Sequence, residues 1–214
     1  MTTRAYDELY LAGAKRRLGN AMSYAANECD VPADDFAEAF VATGFARRFG
    51  EGNPWVVAGM SGIELAKRVI EESRVADLMP EPHHAQSRTP EHWAGAVLAR
   101  LQWQMALPFD WLLGLVPPSQ VVALYALHHE MPEARTIEEL EARVERASAE
   151  ETALGRIRRS CGLSQARLAE LSAVGLRSIR AYEQRENDIA RAQAGTLQSL
   201  SRVLGCAIED LLVP

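Results

Sequence analysis

The sequence lacks most of the features that identify a secreted, disulfide-bonded or membrane protein. Its 214 residues include only three cysteines, which occur singly and lack the paired spacing of a zinc site or a disulfide framework. No apolar run opens the chain, so no signal peptide is expected. The most apolar stretch, residues 111–127, is interrupted by Pro117 and Pro118 and does not fit a membrane span. We therefore expect a cytoplasmic protein with no membrane partner.

Motifs of catalysis, cofactor binding and metal binding are also missing. The sequence has no glycine-rich phosphate loop, no Gly-x-Ser-x-Gly and no His-Glu-x-x-His. The adjacent pairs His83–His84 and His128–His129 have no carboxylate or cysteine at ligand spacing, and adjacent side chains on a helix point in different directions. The sequence therefore predicts neither an enzyme nor a bound metal or cofactor.

What the chain does contain is helical spacing of apolar residues throughout. Apolar positions recur at intervals of three and four, and no segment alternates like a strand, which predicts an all-α protein. Leu9 and Leu18 are expected on the inward face of the first helix, and Thr136 is expected to cap a charged helix. The helices predicted before it cover residues 6–27, a stretch after Pro32 that runs past Gly44 and is ended by Gly50 and Gly52, 61–70, a stretch from Pro90 to Met105, 109–115 and 119–129.

The net charge of −6 is unevenly distributed along the chain. Residues 151–214 contain nine Arg against seven Asp and Glu, a net charge of +2. Residues 1–150 contain 14 basic and 22 acidic side chains, a net charge of −8. This asymmetry predicts that only the C-terminal part faces phosphate, while the acidic part faces solvent, another protein or a small ligand.

A capping signal at 148–151 predicts a boundary between two domains. Residues 1–147 would form an acidic helical domain for sensing, partner binding or dimerisation, and residues 148–214 a second domain. A helix across 137–159 either breaks near Ser148 or runs through it, and the sequence permits both.

Residues 162–183 have the pattern of two short helices joined by a tight turn. Ser164-Gln165 would start the first, Leu168-Ala169 would pack in the core, and Ile179 with Tyr182-Glu183 would lie on the buried side of the second. On these residues and on the apolar positions around them, residues 152–213 resemble the Cro/repressor-type helix-turn-helix domains of the XRE family. The resemblance implies a five-helix, lambda-repressor-like DNA-binding domain that follows an N-terminal helical bundle.

In this family the second helix of the motif lies in the major groove of DNA. Arg177 is the first candidate for base reading, because a guanidinium can bond O6 and N7 of guanine at once. The resemblance also implies that Arg158 and Glu183 form a buried structural salt bridge. The remaining candidate DNA contacts are Gln165 at the start of the preceding helix, Leu176, Ser178, Arg180 and Ala181 on the second helix, and Arg185 and Asn187 beyond it.

Other interpretations of these residues stay open. Arg177 and Arg180 are alternatively solvated surface residues, and Leu176 alternatively packs against a neighbour. Two departures from the family pattern concern the turn, where Ala173 replaces a usual glycine and Gly175 replaces a usual capping serine or threonine. Both departures are expected to weaken the domain without abolishing it.

The N-terminal part contains one further lead, a group of aromatic residues within a short stretch. It is either ordinary core or the lining of a pocket for an effector or a partner helix, in which case Trp103 or Trp111 would line it. The group consists of Trp93, Trp103, Phe109, Trp111 and Tyr125.

The expected function is therefore that of a transcription regulator that binds double-stranded DNA as a homodimer. Its N-terminal domain would bind a small-molecule effector or a protein partner. The alternative is an antitoxin-like protein that neutralises a partner and autoregulates its operon. A third possibility is a scaffold with a degenerate DNA domain, which predicts no salt-dependent binding to duplex DNA.

Overall fold

The computed structural model describes residues 4–82 and 89–212, and every regular element in this part of the chain is a helix. The prediction of an all-α protein is confirmed. The chain divides into two compact units, Met1–Val144 and Glu145–Pro214. The predicted boundary between residues 147 and 148 lies three residues beyond this division.

Nine helices begin in the first unit. After a 3-10 turn at Glu8–Tyr10, they are α1 (Leu11–Glu28), α2 (Ala33–Ala42), α3 (Phe45–Gly50), α4 (Pro54–Val57), α5 (Gly62–Ser73), α6 (Pro90–Met105), α7 (Phe109–Leu115), α8 (Pro118–His128) and α9 (Glu133–Glu150), all within the described residues.

Glycine on both helices allows α1 and α6 to pack closely. A Cβ atom at Gly95 would lie 2.7 Å from the carbonyl oxygen of Leu18, and one at Gly19 would lie 2.6 Å from the carbonyl oxygen of His92. These distances are too short for any larger residue without a backbone shift. The close contact between α1 and α6 therefore depends on glycine, which has no side chain, at positions 19 and 95.

The core of this unit is rich in aromatic rings. All five phenylalanines of the chain are 0–2 % exposed. The ring of Phe109 lies edge-on to the rings of Phe40 and Phe49, with both centroid distances 5.7 Å. Edge-to-face pairs of this kind contribute beyond the burial of their surface.

Two predicted helix starts are confirmed by their caps. The Thr89 hydroxyl accepts a hydrogen bond from the backbone N–H of His92, and Pro90 is the first residue of α6. The Ser61 hydroxyl accepts one from the backbone N–H of Glu64 at the start of α5. The Glu64 carboxylate pairs with Arg68 at 3.2 Å instead of returning to the cap.

Three expectations for this unit are wrong. Leu9 is 83 % exposed, because a 3-10 turn precedes α1 and rotates this residue away from the core. The helix after Pro32 divides at Gly44, whose φ of 74° is left-handed. Thr136 is an interior residue of α9, where its buried hydroxyl lies 3.1 Å from Nδ1 of His128 and caps no helix.

The second unit contains a short helical stretch of α9 followed by five shorter helices, α10 (Ala153–Ser160), α11 (Gln165–Ser172), α12 (Leu176–Glu183), α13 (Ala194–Leu204) and α14 (Ile208–Leu211). The open question about 137–159 is answered, because the helix is interrupted after Glu150 and Thr152 caps α10. The helices α10 to α14 enclose a small core made of Leu154, Leu168, Ile179, Leu200, Leu204 and Leu211.

In the described part of the chain, no single helix has both the length and the apolar composition needed to cross a membrane. α7 and α8 meet that test only as a pair, and they are bent by 63° at the break between them.

Candidate nucleic-acid interface

A short turn, residues 173–175, connects α11 to α12. Ala173 has a φ of 55°, in the left-handed region that disfavours any side chain with a Cβ atom. Gly175 precedes α12 and supplies no side-chain cap. The buried Ser172 hydroxyl supports the turn by donating to the Leu168 carbonyl at 2.6 Å and accepting from the backbone N–H of Val174. Ala173 thus occupies a strained backbone position, and Gly175 leaves the start of α12 without a side-chain cap.

The two sides of α12 differ in chemistry. Ile179 is fully buried in the core of the unit, and the predicted core residue Tyr182 packs against that core half-buried. Arg177 and Arg180 are exposed, whereas Leu176 and Ser178 are half-buried. The outer side of this helix therefore presents two guanidinium groups to solvent.

The arginines of residues 151–214 fall into paired and unpaired groups. Arg177, Arg180 and Arg185 form no ion pair in the described residues, and neither do Arg156 and Arg202. The pairs that do form are Arg158–Glu183, Arg159–Glu151, Arg167–Glu170 and Arg191–Asp188. Three of the five unpaired arginines thus lie on α12 or two residues beyond it.

The predicted salt bridge between Arg158 and Glu183 is present and buried. Their side chains are 7 % and 6 % exposed, and two parallel N–H···O bonds of 2.6 and 2.8 Å join them. Nη1 of Arg158 also donates to the carbonyl of Leu163 at 2.6 Å. This bidentate pair ties α10 to the end of α12.

Gln165 belongs to the same network. Its side-chain amide donates to the Glu183 carboxylate at 2.8 Å. Burial alone would raise the pKa of Glu183, but the bonds from Arg158 and Gln165 outweigh burial, so this pKa lies below its usual value. The resemblance predicts only a DNA contact for Gln165, because nothing in the spacing of this residue indicates that it reaches the last residue of α12.

The expectation that Ala181 projects outward to a base is wrong. Ala181 is 7 % exposed. After α12 the chain turns at Arg185, whose φ is 57°, and the backbone N–H of Asn187 donates to the Ala181 carbonyl at 3.1 Å. The returning segment thus lies against this end of α12. Arg185 and Asn187 themselves are exposed.

The members of the aromatic group of the first unit differ in their surroundings. Trp103 is 3 % exposed, and its indole N–H donates to the Tyr6 carbonyl at 2.7 Å, so the expectation that Trp103 lines a pocket is wrong. Trp93 and Tyr125 are half-buried and meet edge-to-face, with ring centroids 5.8 Å apart. Trp111 is half-buried.

Cavities described in this unit have other linings. One of about 480 Å³ lies between residues 28–30 and 76–80, one of about 330 Å³ beside Arg16 and Arg17, and one of about 210 Å³ beside Arg100 and Glu133. None of these three includes a residue of the aromatic group. Of the histidines considered as ligands, His83 and His84 lie outside the described residues.

Comparison of the whole chain with known protein families, with curated proteins and with solved structures gave no match.

Proposed function

We propose that the C-terminal unit is a helix-turn-helix domain that binds duplex DNA, and that the protein is a sequence-specific transcription regulator. The observation that carries this proposal is the arginine pattern of the unit. Arg177, Arg180 and Arg185 are exposed and unpaired on and just after one helix, while four other arginines pair with carboxylates. Unpaired guanidinium groups on one helix suit the phosphates and guanine edges of a DNA groove.

In this proposal α12 enters the major groove and divides its contacts by position. Arg177, in the first turn of α12, bonds O6 and N7 of a guanine. Arg180 and Arg185 contact phosphates and fix the register of the helix on the duplex. Asn187 and Ser178 add backbone contacts, whereas the buried Ala181 makes none.

The buried ion pair has a positioning role in the same proposal. Glu183 at the end of α12 is held by Arg158 of α10 and by Gln165 at the start of α11. Three helices are therefore joined through one carboxylate, and α12 cannot rotate without breaking these bonds. The backbone N–H groups in the first turn of α11, and the second amide hydrogen of the Gln165 side chain, can donate to a phosphate at the start of this helix.

A homodimer belongs to this proposal as well. Residues 151–214 carry a net charge of only +2, so a single copy binds DNA weakly, and domains of this type read two half-sites about one helical turn apart. Light scattering of the full chain should therefore give the mass of two copies. A footprint on the bound DNA should show two related half-sites.

The direct test is a gel shift with DNA from upstream of the protein's own coding sequence, beside a random duplex, at two salt concentrations. Wild-type protein should prefer the upstream DNA, and binding to both duplexes should weaken with salt. Arg177→Ala should lose the preference by roughly 10- to 100-fold, the worth of one bidentate guanine contact.

The matched control is Arg202→Ala, which removes an exposed and unpaired arginine from α13. It should retain the preference for upstream DNA. Equal losses in Arg177→Ala and Arg202→Ala, or equal binding of wild type to both duplexes, would refute base reading by α12.

A further inference from the structure

Two of the three cysteines lie at the same end of the C-terminal unit. Cys161 follows the last residue of α10 and is exposed. Its thiol donates to the carbonyl oxygen of Leu204, with Sγ 3.5 Å from that oxygen. Leu204 is the last residue of α13, so the exposed thiol lies against the end of that helix.

Cys206 is held close to the same point. Gly205, with a φ of 66°, turns the chain back after α13. The backbone N–H of Cys206 then donates to the Ser201 carbonyl at 3.2 Å, and the Ser201 hydroxyl donates to the Cys206 carbonyl at 2.6 Å. The side chain of Cys206 is half-buried against the core. It is thus fixed two residues from the carbonyl that Cys161 contacts.

We propose that Cys161 and Cys206 form an intramolecular disulfide when the protein meets a small disulfide oxidant such as glutathione disulfide. The site is a thiol pair 45 positions apart in sequence, brought to the same end of the unit by the turn between α13 and α14. Cys29, the third cysteine, is buried in the other unit and takes no part.

The reaction proceeds in two exchange steps that balance. The thiolate of the exposed Cys161 attacks one sulfur of glutathione disulfide, which forms a mixed disulfide and releases one glutathione thiolate. The Cys206 thiolate then attacks the Cys161 sulfur, which closes the protein disulfide and releases the second glutathione. The two protein thiols are oxidised, the glutathione disulfide is reduced, and two protons pass to the released thiolates or to solvent.

The second step should be the slower one. Burial, and after it the negative charge of Asp210, raise the pKa of Cys206 above its usual value, and both causes remain once Cys161 is in the mixed disulfide. The fraction of Cys206 that is thiolate at neutral pH is therefore small, and ring closure should accelerate as the pH rises.

The disulfide would enclose α11, α12 and α13 in one covalent loop. A cross-link over a loop of this length restricts the unfolded chain and stabilises the folded unit. The melting temperature of the C-terminal unit should rise on the order of 10 °C. This inference is independent of DNA binding, because its readouts are thiol content and stability.

The experiment incubates the full chain with glutathione disulfide, blocks remaining thiols with an alkylating agent under denaturing conditions, and identifies linked peptides by mass spectrometry. Wild type and Cys29→Ser should each lose two hydrogen atoms and yield a Cys161–Cys206 peptide, which dithiothreitol should abolish. Cys161→Ser should remain unlinked, and Cys206→Ser should stop at the mixed disulfide with glutathione.

Other outcomes would overturn the proposal. They are a wild-type protein that keeps three alkylatable thiols or stops at the mixed disulfide, a link that requires Cys29, or a link between two chains. Serine closely matches cysteine in size, so each variant should fold like the wild type. Circular dichroism of each variant checks this, and a missing link in a folded variant then reflects the missing thiol.

Discussion

The two units of this chain use arginine differently. In the N-terminal unit several guanidinium groups bind the fold itself: Arg17 donates to the carbonyls of Ala58 and Met60, and Arg48 lies 4.1 Å from the centre of the Phe45 ring. In the C-terminal unit the guanidinium of Arg158 likewise bonds within the fold, to Glu183, but Arg177 and Arg180 contact no acidic group in the described residues. The difference identifies side chains available for a partner in a way that net charge alone does not.

The two cores differ as well. The N-terminal unit packs five buried phenylalanines and many aliphatic residues, whereas the C-terminal unit buries a cluster of six leucine and isoleucine side chains beside one ion pair. A small domain buries a lower fraction of its surface and has less stability to lose. The C-terminal unit should therefore unfold at a lower temperature or denaturant concentration than the N-terminal unit.

The tryptophans allow the two units to be followed separately. All four, Trp55, Trp93, Trp103 and Trp111, belong to the N-terminal unit. Tryptophan fluorescence therefore reports unfolding of that unit alone, while far-ultraviolet circular dichroism reports the helices of both.

The largest effect is expected from Arg158→Met. Removing one partner leaves the Glu183 carboxylate buried without its counter-charge, which costs about 3–5 kcal/mol. The variant should lose the part of the circular dichroism transition that belongs to the C-terminal unit, while its tryptophan transition stays unchanged. The control Arg167→Ala breaks an exposed pair with Glu170 and should cost less than about 0.5 kcal/mol. If Arg158→Met lowered the free energy of unfolding as little as Arg167→Ala does, the Arg158–Glu183 pair would not stabilise the unit.

The next effect is expected from Gly95→Ala, which perturbs the other unit. The new Cβ atom would lie 2.7 Å from the Leu18 carbonyl oxygen, and overpacking of this kind costs about 1–3 kcal/mol. The tryptophan transition should fall accordingly. Gly114→Ala, on α7 with no atom within 4 Å of its Cβ position, should be neutral or stabilising. A Gly95→Ala variant as stable as Gly114→Ala would contradict the close contact between α1 and α6.

A gain is expected from the turn before α12. Ala173→Gly relieves a left-handed alanine, and Gly175→Ser adds a cap where φ is −55° and the Cβ position is open. Together they should add on the order of 1 kcal/mol to the C-terminal unit. Gly162→Ala, which places a side chain at a φ of 67°, should act in the opposite direction. An unchanged circular dichroism transition in the double variant would show that the turn is not a weak point.

The smallest effect is a difference in acid sensitivity. Burial lowers the pKa of His92 below its ordinary 6.5, so the unfolded chain binds a proton more readily, and the N-terminal unit should lose stability as the pH falls below 6.5. The pKa of Glu183 lies below its ordinary 4.5, so its contribution to the C-terminal unit should be lost only as the pH falls below 4.5. Melting temperatures between pH 7 and pH 4, read by both probes for wild type and His92→Gln, measure this. A His92→Gln variant whose tryptophan transition has the same pH dependence as that of the wild type would show that His92 does not cause the acid sensitivity of the N-terminal unit.

The sequence predicted the all-α class from apolar spacing, and it predicted α6 and α5 from the caps Thr89 and Ser61. It also predicted the Arg158–Glu183 contact, through resemblance to a family in which this pair recurs. It failed where contacts outside a residue's own helix determine its surroundings. Ala181 has an outward position by helical periodicity alone and is buried, and Trp103 bonds to Tyr6, 97 positions away. Thr136 matches a capping pattern but lies inside a helix that starts earlier.

The central claim is that the DNA contact belongs to α12 and the residues just after it. Its most direct measurement is the salt dependence of DNA affinity for two double variants that remove equal charge, Arg180→Ala with Arg185→Ala and Arg156→Ala with Arg202→Ala. We expect the slope of log K against log salt to fall by about 1.8 in the first variant, since each lost phosphate contact removes about 0.9, and to be unchanged in the second. Equal slopes in the two variants, or wild-type binding without salt dependence, would contradict it.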